Sequence, residues 1–204
     1  MRIKICGLFR DEDIDYVNEA RPDFVGFVFA KSKRQVSSPL AQYLRFRLVD
    51  SIVPVGVFMN APAAEIASLY QNGTISIVQL HGNEDDSYIS YLRKICPKSD
   101  KNTQLKIIKV IKSDELKNGL PATTADFYLV DSGAGTGKTF NWQHLNSVKF
   151  PKPWFLAGGI DLKNIEQAAA LNPFAIDVSS GAETDGVKDR EKILELISIV
   201  RKGK

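Results

Sequence analysis

The chain has 204 residues, of which 44% are hydrophobic and 25% are charged, as in an ordinary water-soluble globular protein. The net charge is +3, from 27 basic and 24 acidic residues, which argues against nucleic acid as a partner, and no apolar run approaches the length of a membrane-spanning helix. Two cysteines are too few for a disulfide framework, so we expect one soluble, cytoplasmic domain that spans residues 1–204.

Eight short runs rich in β-branched and aromatic residues recur along the chain and predict eight β-strands. They are RIKIC (2–6), FVGFVF (24–29), IVPVGVF (52–58), ISIVQL (75–80), LKIIKV (105–110), DFYLVD (126–131), PWFLAG (153–158) and FAIDV (174–178).

Helical patterns lie between most of these strands. The last pattern places Ile193, Leu196, Ile197 and Val200 on one face, and the weakest, NWQHLNS, lies between the sixth and seventh strands. Alternating helices and nearly continuous apolar strands indicate a parallel sheet. Eight such units predict the α/β class and a single (β/α)8 TIM barrel, with an open doubly wound sheet as the alternative.

In such a barrel the chemistry lies at the carboxyl ends of the strands. Strand one ends in Cys6, strand six ends in Asp131, and Arg34 follows strand two. A thiol can act as a base or nucleophile, a carboxyl group as an acid, and a guanidinium as a fork for a carboxylate. The alternatives are that Cys6 is a buried structural thiol, that Asp131 caps a helix or loop, and that Arg34 is only a surface charge. His81, at the end of strand four, is interpreted as structural, and no spacing indicates a metal site.

Two glycine-containing loops follow strands seven and eight, where a TIM barrel usually binds phosphate. Gly158 and Gly159 precede Asp161, at which we expect a helix to begin, and a helix N-terminus offers free N–H groups to an anion. Ser180 and Gly181 offer the same arrangement after strand eight. These loops predict a phosphate site, unless the glycines only turn the chain.

The segment DSGAGTGKTF at 131–140 has the composition of a nucleotide-binding P-loop but not its spacing. A P-loop requires glycine at position 132, where this chain has Ser132. A P-loop also leads directly into a helix, but no strong helical pattern follows Lys138. The segment therefore does not predict a nucleotide site.

Taken together, the motifs resemble the phosphoribosylanthranilate isomerase family of tryptophan biosynthesis. The matching segments are KICGL (4–8), GFVFAKSKRQVS (26–37), QLHG (79–82), DSGAGTGKTFNW (131–142), LAGGI (156–160) and DVSSGAETDGVKD (177–189). The resemblance implies a TIM barrel without a cofactor. It also implies an Amadori rearrangement of N-(5-phosphoribosyl)anthranilate to 1-(2-carboxyphenylamino)-1-deoxyribulose 5-phosphate.

The same resemblance implies a role for each site residue. Cys6 is similar to the general base that removes a proton from C2 of the sugar, and Asp131 to the general acid that protonates the ring oxygen. Arg34 is similar to the partner of the anthranilate carboxylate, and Asp177 to a sugar contact. The segment after Asp131 is similar to a lid that closes over the substrate. The implied phosphate site consists of Gly158, Gly159, Ser180 and Gly181.

The implied partner is a small phosphorylated molecule, and the chain is expected to be a monomer or homodimer. Phe9 stands where the family usually has threonine, and the loop after Asp131 is one residue shorter than common versions. Both departures from the family pattern concern the way in which the lid closes. The histidine-pathway isomerase family is the nearest alternative. The pattern of that family has a pair of aspartates at strand ends, one of them on strand one, where this chain has Cys6. A nucleotide-binding module and a redox-sensing cysteine are further alternatives.

Overall fold

The computed structural model describes residues 1–96, 104–131 and 142–202. Eight parallel strands close into a barrel in chain order, which confirms the predicted (β/α)8 fold. The strands are β1 (Arg2–Cys6), β2 (Phe24–Val28), β3 (Val53–Phe58), β4 (Ile77–Leu80), β5 (Lys106–Lys112), β6 (Phe127–Asp131), β7 (Trp154–Ala157) and β8 (Ala175–Val178). Each lies within two residues of a predicted strand at either end.

The helices surround the barrel. They are α1 (Asp11–Ala20), α2 (Ser38–Arg47), α3 (Ala63–Gln71), α4 (Asp86–Ile95), α5 (Ile165–Ala170) and α6 (Arg190–Lys202). The weak pattern at NWQHLNS forms a 3-10 turn, Trp142–Ser147, instead of an α-helix, and the chain between β5 and β6 contains a second one, Glu115–Asn118. Within the described ranges, none of the helices has both the length and the apolar character needed to cross a membrane.

The strands present one set of side chains to the helices and the other to the barrel interior. In β1, Ile3 and Ile5 belong to the core cluster that includes residues of α1 and α6, and Lys4 and Cys6 therefore point inward. The predicted apolar face of α6 is buried in this cluster. The interior has its own apolar cluster: Phe24, Val55, Ile77, Ile108, Val110, Leu129, Phe155, Ala157 and Ala175. This cluster fills the barrel, so polar chemistry is confined to the ends of the strands.

A small hairpin that the sequence analysis did not predict lies between β8 and α6. Its strands are β9 (Glu183–Thr184) and β10 (Val187–Lys188), which pair antiparallel. Asp185 and Gly186 form the two-residue turn and have φ angles of 53° and 81°. Two positive φ angles are typical of the type I′ hairpin turn, which Asp-Gly favours. The turn places Glu183 directly opposite Lys188.

Candidate active site

A cavity of about 320 Å³ opens at the carboxyl ends of the strands. Closure of the barrel brings together strand ends that are far apart in the sequence. Of the predicted site residues, only Gly181 does not line this cavity. The residues that do are Cys6, Arg34, Asp131, Gly158, Gly159, Asp177 and Ser180.

Cys6 is the last residue of β1, and its side chain is buried at the cavity wall. The neighbouring strand makes room for it with Gly26, where an added Cβ would lie 2.5 Å from the sulfur. Burial raises the pKa of the Cys6 thiol, and the positive charge of Lys4 opposes that shift without cancelling it. The thiol therefore rests in its neutral form near neutral pH.

Lys4 lies one inward position before Cys6 and is completely buried. Its ammonium group donates to both carboxylate oxygens of Asp177, at 3.0 and 2.9 Å. Burial alone would lower the pKa of Lys4, but the interactions with Asp177 and Cys6 together outweigh burial, so the pKa of Lys4 is raised. Sequence reasoning missed Lys4, although a lysine within the otherwise apolar segment RIKIC was a usable signal. Asp177 lines the cavity, as predicted, but it is also the counter-ion of Lys4.

Replacing Lys4 by methionine is expected to lower the free energy of unfolding by about 3–5 kcal/mol, because Asp177 would remain as a buried, unpaired charge. The double replacement Lys4→Met with Asp177→Leu removes both charges and is expected to recover most of the loss. Urea denaturation followed by circular dichroism measures both variants. A Lys4→Met protein as stable as the original would contradict the buried ion pair.

Asp131 ends β6 and is partly exposed to the cavity. His81, at the end of β4, approaches it with a distance of 3.4 Å between Nε2 and the Asp131 Oδ2 atom. His81 also lines the cavity. The rest of the predicted lid segment, residues 132–140, lies outside the described residues.

Gln79 is a further polar group of the cavity that sequence reasoning passed over. The side chain points into the barrel from β4 and is almost fully buried. Within the described part of the chain, its Oε1 atom has no hydrogen-bond partner. A buried acceptor of this kind is costly unless something satisfies it. Gln79 is thus available to a polar ligand group in the cavity.

Arg34 lies at the cavity wall, but its guanidinium already holds a protein carboxylate. Its Nε and Nη2 atoms donate to the two oxygens of Glu183, each at 2.6 Å. These hydrogen bonds raise the pKa of Arg34 still further. Sequence reasoning did not single out Glu183, because its proximity to Arg34 depends on the hairpin β9–β10.

The loop after β7 has the backbone freedom that an anion cradle requires. Gly158 and Gly159 have φ angles of 93° and 65°, which glycine adopts readily and other residues rarely do. The expected helix start at Asp161 is wrong: α5 begins four residues later, at Ile165. Asp161 instead accepts a hydrogen bond from the backbone N–H of Lys163, so its side chain stabilises a turn.

The loop after β8 meets the loop after β7 at Gly181. An added Cβ on Gly181 would lie 1.9 Å from the carbonyl oxygen of Ile160, so only glycine fits there. Because Gly181 has no side chain, the two loops can pack closely against each other beside the cavity. Ser180 lines the cavity itself. Among the residues that the structure describes, no cluster of three or more His, Cys, Asp or Glu side chains could hold a metal ion.

Comparison with known proteins agrees with this geometry. Residues 3–198 match the family model described as N-(5'phosphoribosyl)anthranilate (PRA) isomerase. An N-(5'-phosphoribosyl)anthranilate isomerase from Endomicrobium trichonymphae is 44% identical over 208 residues, which cover 98% of both chains.

Solved structures give the same result. The phosphoribosyl anthranilate isomerase of Thermotoga maritima superimposes with a TM-score of 0.84 at 29% identity, over 99% of each chain. Another phosphoribosyl anthranilate isomerase was solved in complex with reduced 1-(o-carboxyphenylamino)-1-deoxyribulose 5-phosphate, and its TM-score is 0.81 at 28% identity over 99% of each chain. Because residues 3–198 of the 204 in this chain match the family model, the chain belongs to the N-(5'-phosphoribosyl)anthranilate isomerase family.

Proposed function

We propose that Cys6 and Asp131 are the base and the acid with which this chain isomerises N-(5'-phosphoribosyl)anthranilate in tryptophan biosynthesis. The observation that supports this assignment is the shared cavity: a buried thiol on β1 and a carboxyl group on β6 face the same space. The rearrangement needs one proton delivered to oxygen and one removed from carbon, so one acid and one base are sufficient.

The first step is ring opening. Asp131 donates a proton to the ring oxygen of the sugar, the bond from C1 to that oxygen breaks, and the anilino nitrogen forms a Schiff base with C1. Cys6, as the thiolate, then removes the proton from C2. The electrons of that C–H bond form the double bond between C1 and C2, and those of the C1–N double bond return to nitrogen. The resulting enolamine becomes the ketone when C1 gains a proton and the C2 hydroxyl loses one, so that its oxygen becomes the carbonyl oxygen.

The remaining contacts hold the two ends of the substrate. Gly158, Gly159 and Ser180 are proposed to bind the phosphate through backbone N–H groups and a hydroxyl, with Gly181 keeping their two loops in contact. Arg34 is proposed to bind the anthranilate carboxylate. Asp177 is proposed to contact the sugar from its position beside Lys4, and the reduced product is the natural binding probe for the complete set.

Further features of the proposal concern the chain as a whole. It acts as a single catalytic domain over residues 1–204, in the cytoplasm, as a monomer or homodimer. It needs no cofactor and no nucleic acid. The small net charge of +3 supports the latter.

Growth of a bacterial strain that lacks this isomerase tests the function in the cell. The strain requires tryptophan, and the wild-type chain is expected to restore growth without it, whereas the Asp131→Asn variant is not. Medium with tryptophan is the control for general fitness. A strain that lacks the histidine-pathway isomerase tests the nearest alternative. Failure to restore growth without tryptophan, with folded protein present in the cells, would contradict the proposal.

The pKa of Cys6 leads to a pH dependence. Burial raises this pKa above its ordinary value of 9.0, so only a small fraction of Cys6 is thiolate at neutral pH. This fraction grows about tenfold per pH unit below the pKa, so the rate at which iodoacetamide alkylates Cys6 is expected to rise with pH from about pH 6 to about pH 9, because the thiolate is the nucleophile. Alkylation rates in constant-ionic-strength buffers measure it, and the Cys6→Ser variant gives the contribution of Cys96. A rate that stays flat or falls over this range would contradict a neutral resting thiol.

A further inference from the structure

We propose that Glu183 is a positioning residue for Arg34, and that it thereby determines the preference for a substrate bearing a carboxylate. The inference rests on the proposed function, in which Arg34 binds the anthranilate carboxylate. Glu183 holds one edge of the guanidinium so that the other edge is presented to the substrate.

The contact between the two side chains fixes the plane of the guanidinium. Glu183 accepts from Nε through one oxygen and from Nη2 through the other, both at 2.6 Å. A guanidinium has five N–H groups in a planar fork. Glu183 uses two of them along the side edge, Nε–H and one N–H of Nη2. The end edge has two more, one on Nη1 and one on Nη2, and the fifth, on Nη1, faces the Cδ side. A second carboxylate can therefore bind end-on without displacing Glu183.

Glu183 is itself held rigidly. Its side chain is only 5% exposed, and it accepts a further hydrogen bond from Lys188, its partner across the hairpin, at 2.5 Å. Lys188 also donates to the carbonyl oxygen of Ser179, in the loop after β8. The hairpin thus ties the carboxylate of Glu183 to the cavity wall, and rigid support of this kind is what precise positioning requires.

The loop after β1 also lies against the Arg34 side chain. Gly7 has a φ angle of 84°, and an added Cβ there would lie 2.5 Å from the Cδ atom of Arg34. The arginine therefore crosses directly over the residue that follows Cys6. Gly7 beside the Cδ atom and Glu183 on the guanidinium thus both restrict the conformation of the Arg34 side chain.

Charge alone and positioning lead to opposite expectations. Replacing Glu183 by glutamine removes a negative charge next to Arg34, so charge alone predicts tighter binding of an anionic substrate. Positioning predicts weaker binding, because the amide has one acceptor oxygen and cannot hold both N–H groups of the side edge.

The test compares two substrates in the Glu183→Gln variant. One is N-(5'-phosphoribosyl)anthranilate, and the other is N-(5'-phosphoribosyl)aniline, which lacks the carboxylate. The expected result is a KM about tenfold higher for the first, with kcat within about threefold of wild type and KM unchanged for the second. Glu183→Asp, which restores the charge on a shorter side chain, is expected to recover part of the loss and serves as the second variant if the glutamine protein does not fold.

Asp126 offers a matched control, because it also pairs with one arginine and one lysine, Arg93 and Lys106, but precedes β6 at the far end of the barrel. Asp126→Asn is expected to leave both KM values unchanged. A KM that rises equally for both substrates, falls, or does not change in Glu183→Gln and Glu183→Asp would overturn the proposal. A wild-type protein that converts neither compound would instead overturn the proposed function beneath it.

Discussion

Replacement of Cys6 by serine is expected to lower kcat about a thousandfold, with the fold and the affinity for the reduced product unchanged. A general base in proton transfer is worth about 10²- to 10⁴-fold, and a hydroxyl group is a far poorer base than a thiol at neutral pH. The sulfur is enclosed by Gly26 on the neighbouring strand, so the smaller oxygen fits without rearrangement. The loss is therefore chemical and not structural.

The chain supplies a matched control for this variant in its second cysteine. Cys96 is as deeply buried but lies among the residues packed around α3 and α4, away from the cavity. Cys96→Ser is expected to retain wild-type kcat, with at most some loss of stability. Stopped-flow or steady-state rates and calorimetric binding of the reduced product measure the two variants side by side. A Cys6→Ser protein that keeps more than about a tenth of the wild-type kcat would remove Cys6 from the mechanism.

Replacement of Asp131 by asparagine is expected to lower kcat by about 10³- to 10⁴-fold, the upper part of the range for a general acid. The amide has the shape of the carboxyl group but cannot deliver a proton to the ring oxygen. Because ring opening comes first, no later step compensates. The affinity for the reduced product, which is already open-chain, is expected to change by less than about threefold.

Asp126→Asn is the control for this variant, since Asp126 precedes the same strand at its other end. It is expected to turn over like the wild type. If Asp131→Asn keeps near-wild-type kcat, the proton for ring opening comes from another group, and His81, 3.4 Å from Asp131, is the first to test. Rates of both variants over a range of enzyme concentrations decide the matter.

The fold was predictable because its signals are local. Each strand is a short apolar run, and the number and alternation of the runs predict the barrel before any contact is known. The strand-end residues Cys6, Asp131 and Asp177 followed from the same reasoning, because closing a parallel barrel brings all carboxyl ends to one face. The helix that was expected at Asp161 failed because a turn delays α5 to Ile165, and turn chemistry is a weaker signal than periodicity.

The contacts among site residues were not predictable, because they join distant parts of the chain. Lys4 and Asp177 are separated by 173 positions, and Arg34 and Glu183 by 149. In both pairs, the sequence around one residue does not indicate the other. The Oε1 atom of Gln79 is recognised as lacking a hydrogen-bond partner among the described residues only once its burial is known. Sequence therefore predicted several of the groups that line the cavity, whereas the structure was needed to find Gln79 and to see which groups bind one another.

The most direct measurement is the conversion of N-(5'-phosphoribosyl)anthranilate by the wild-type chain. The substrate is generated in place from anthranilate and phosphoribosyl pyrophosphate by an excess of the transferase that joins them, and the loss of its fluorescence is followed. We expect a loss whose rate is proportional to the concentration of the chain and disappears in Asp131→Asn. A folded wild-type protein that leaves the fluorescence at the uncatalysed rate at every concentration would contradict it.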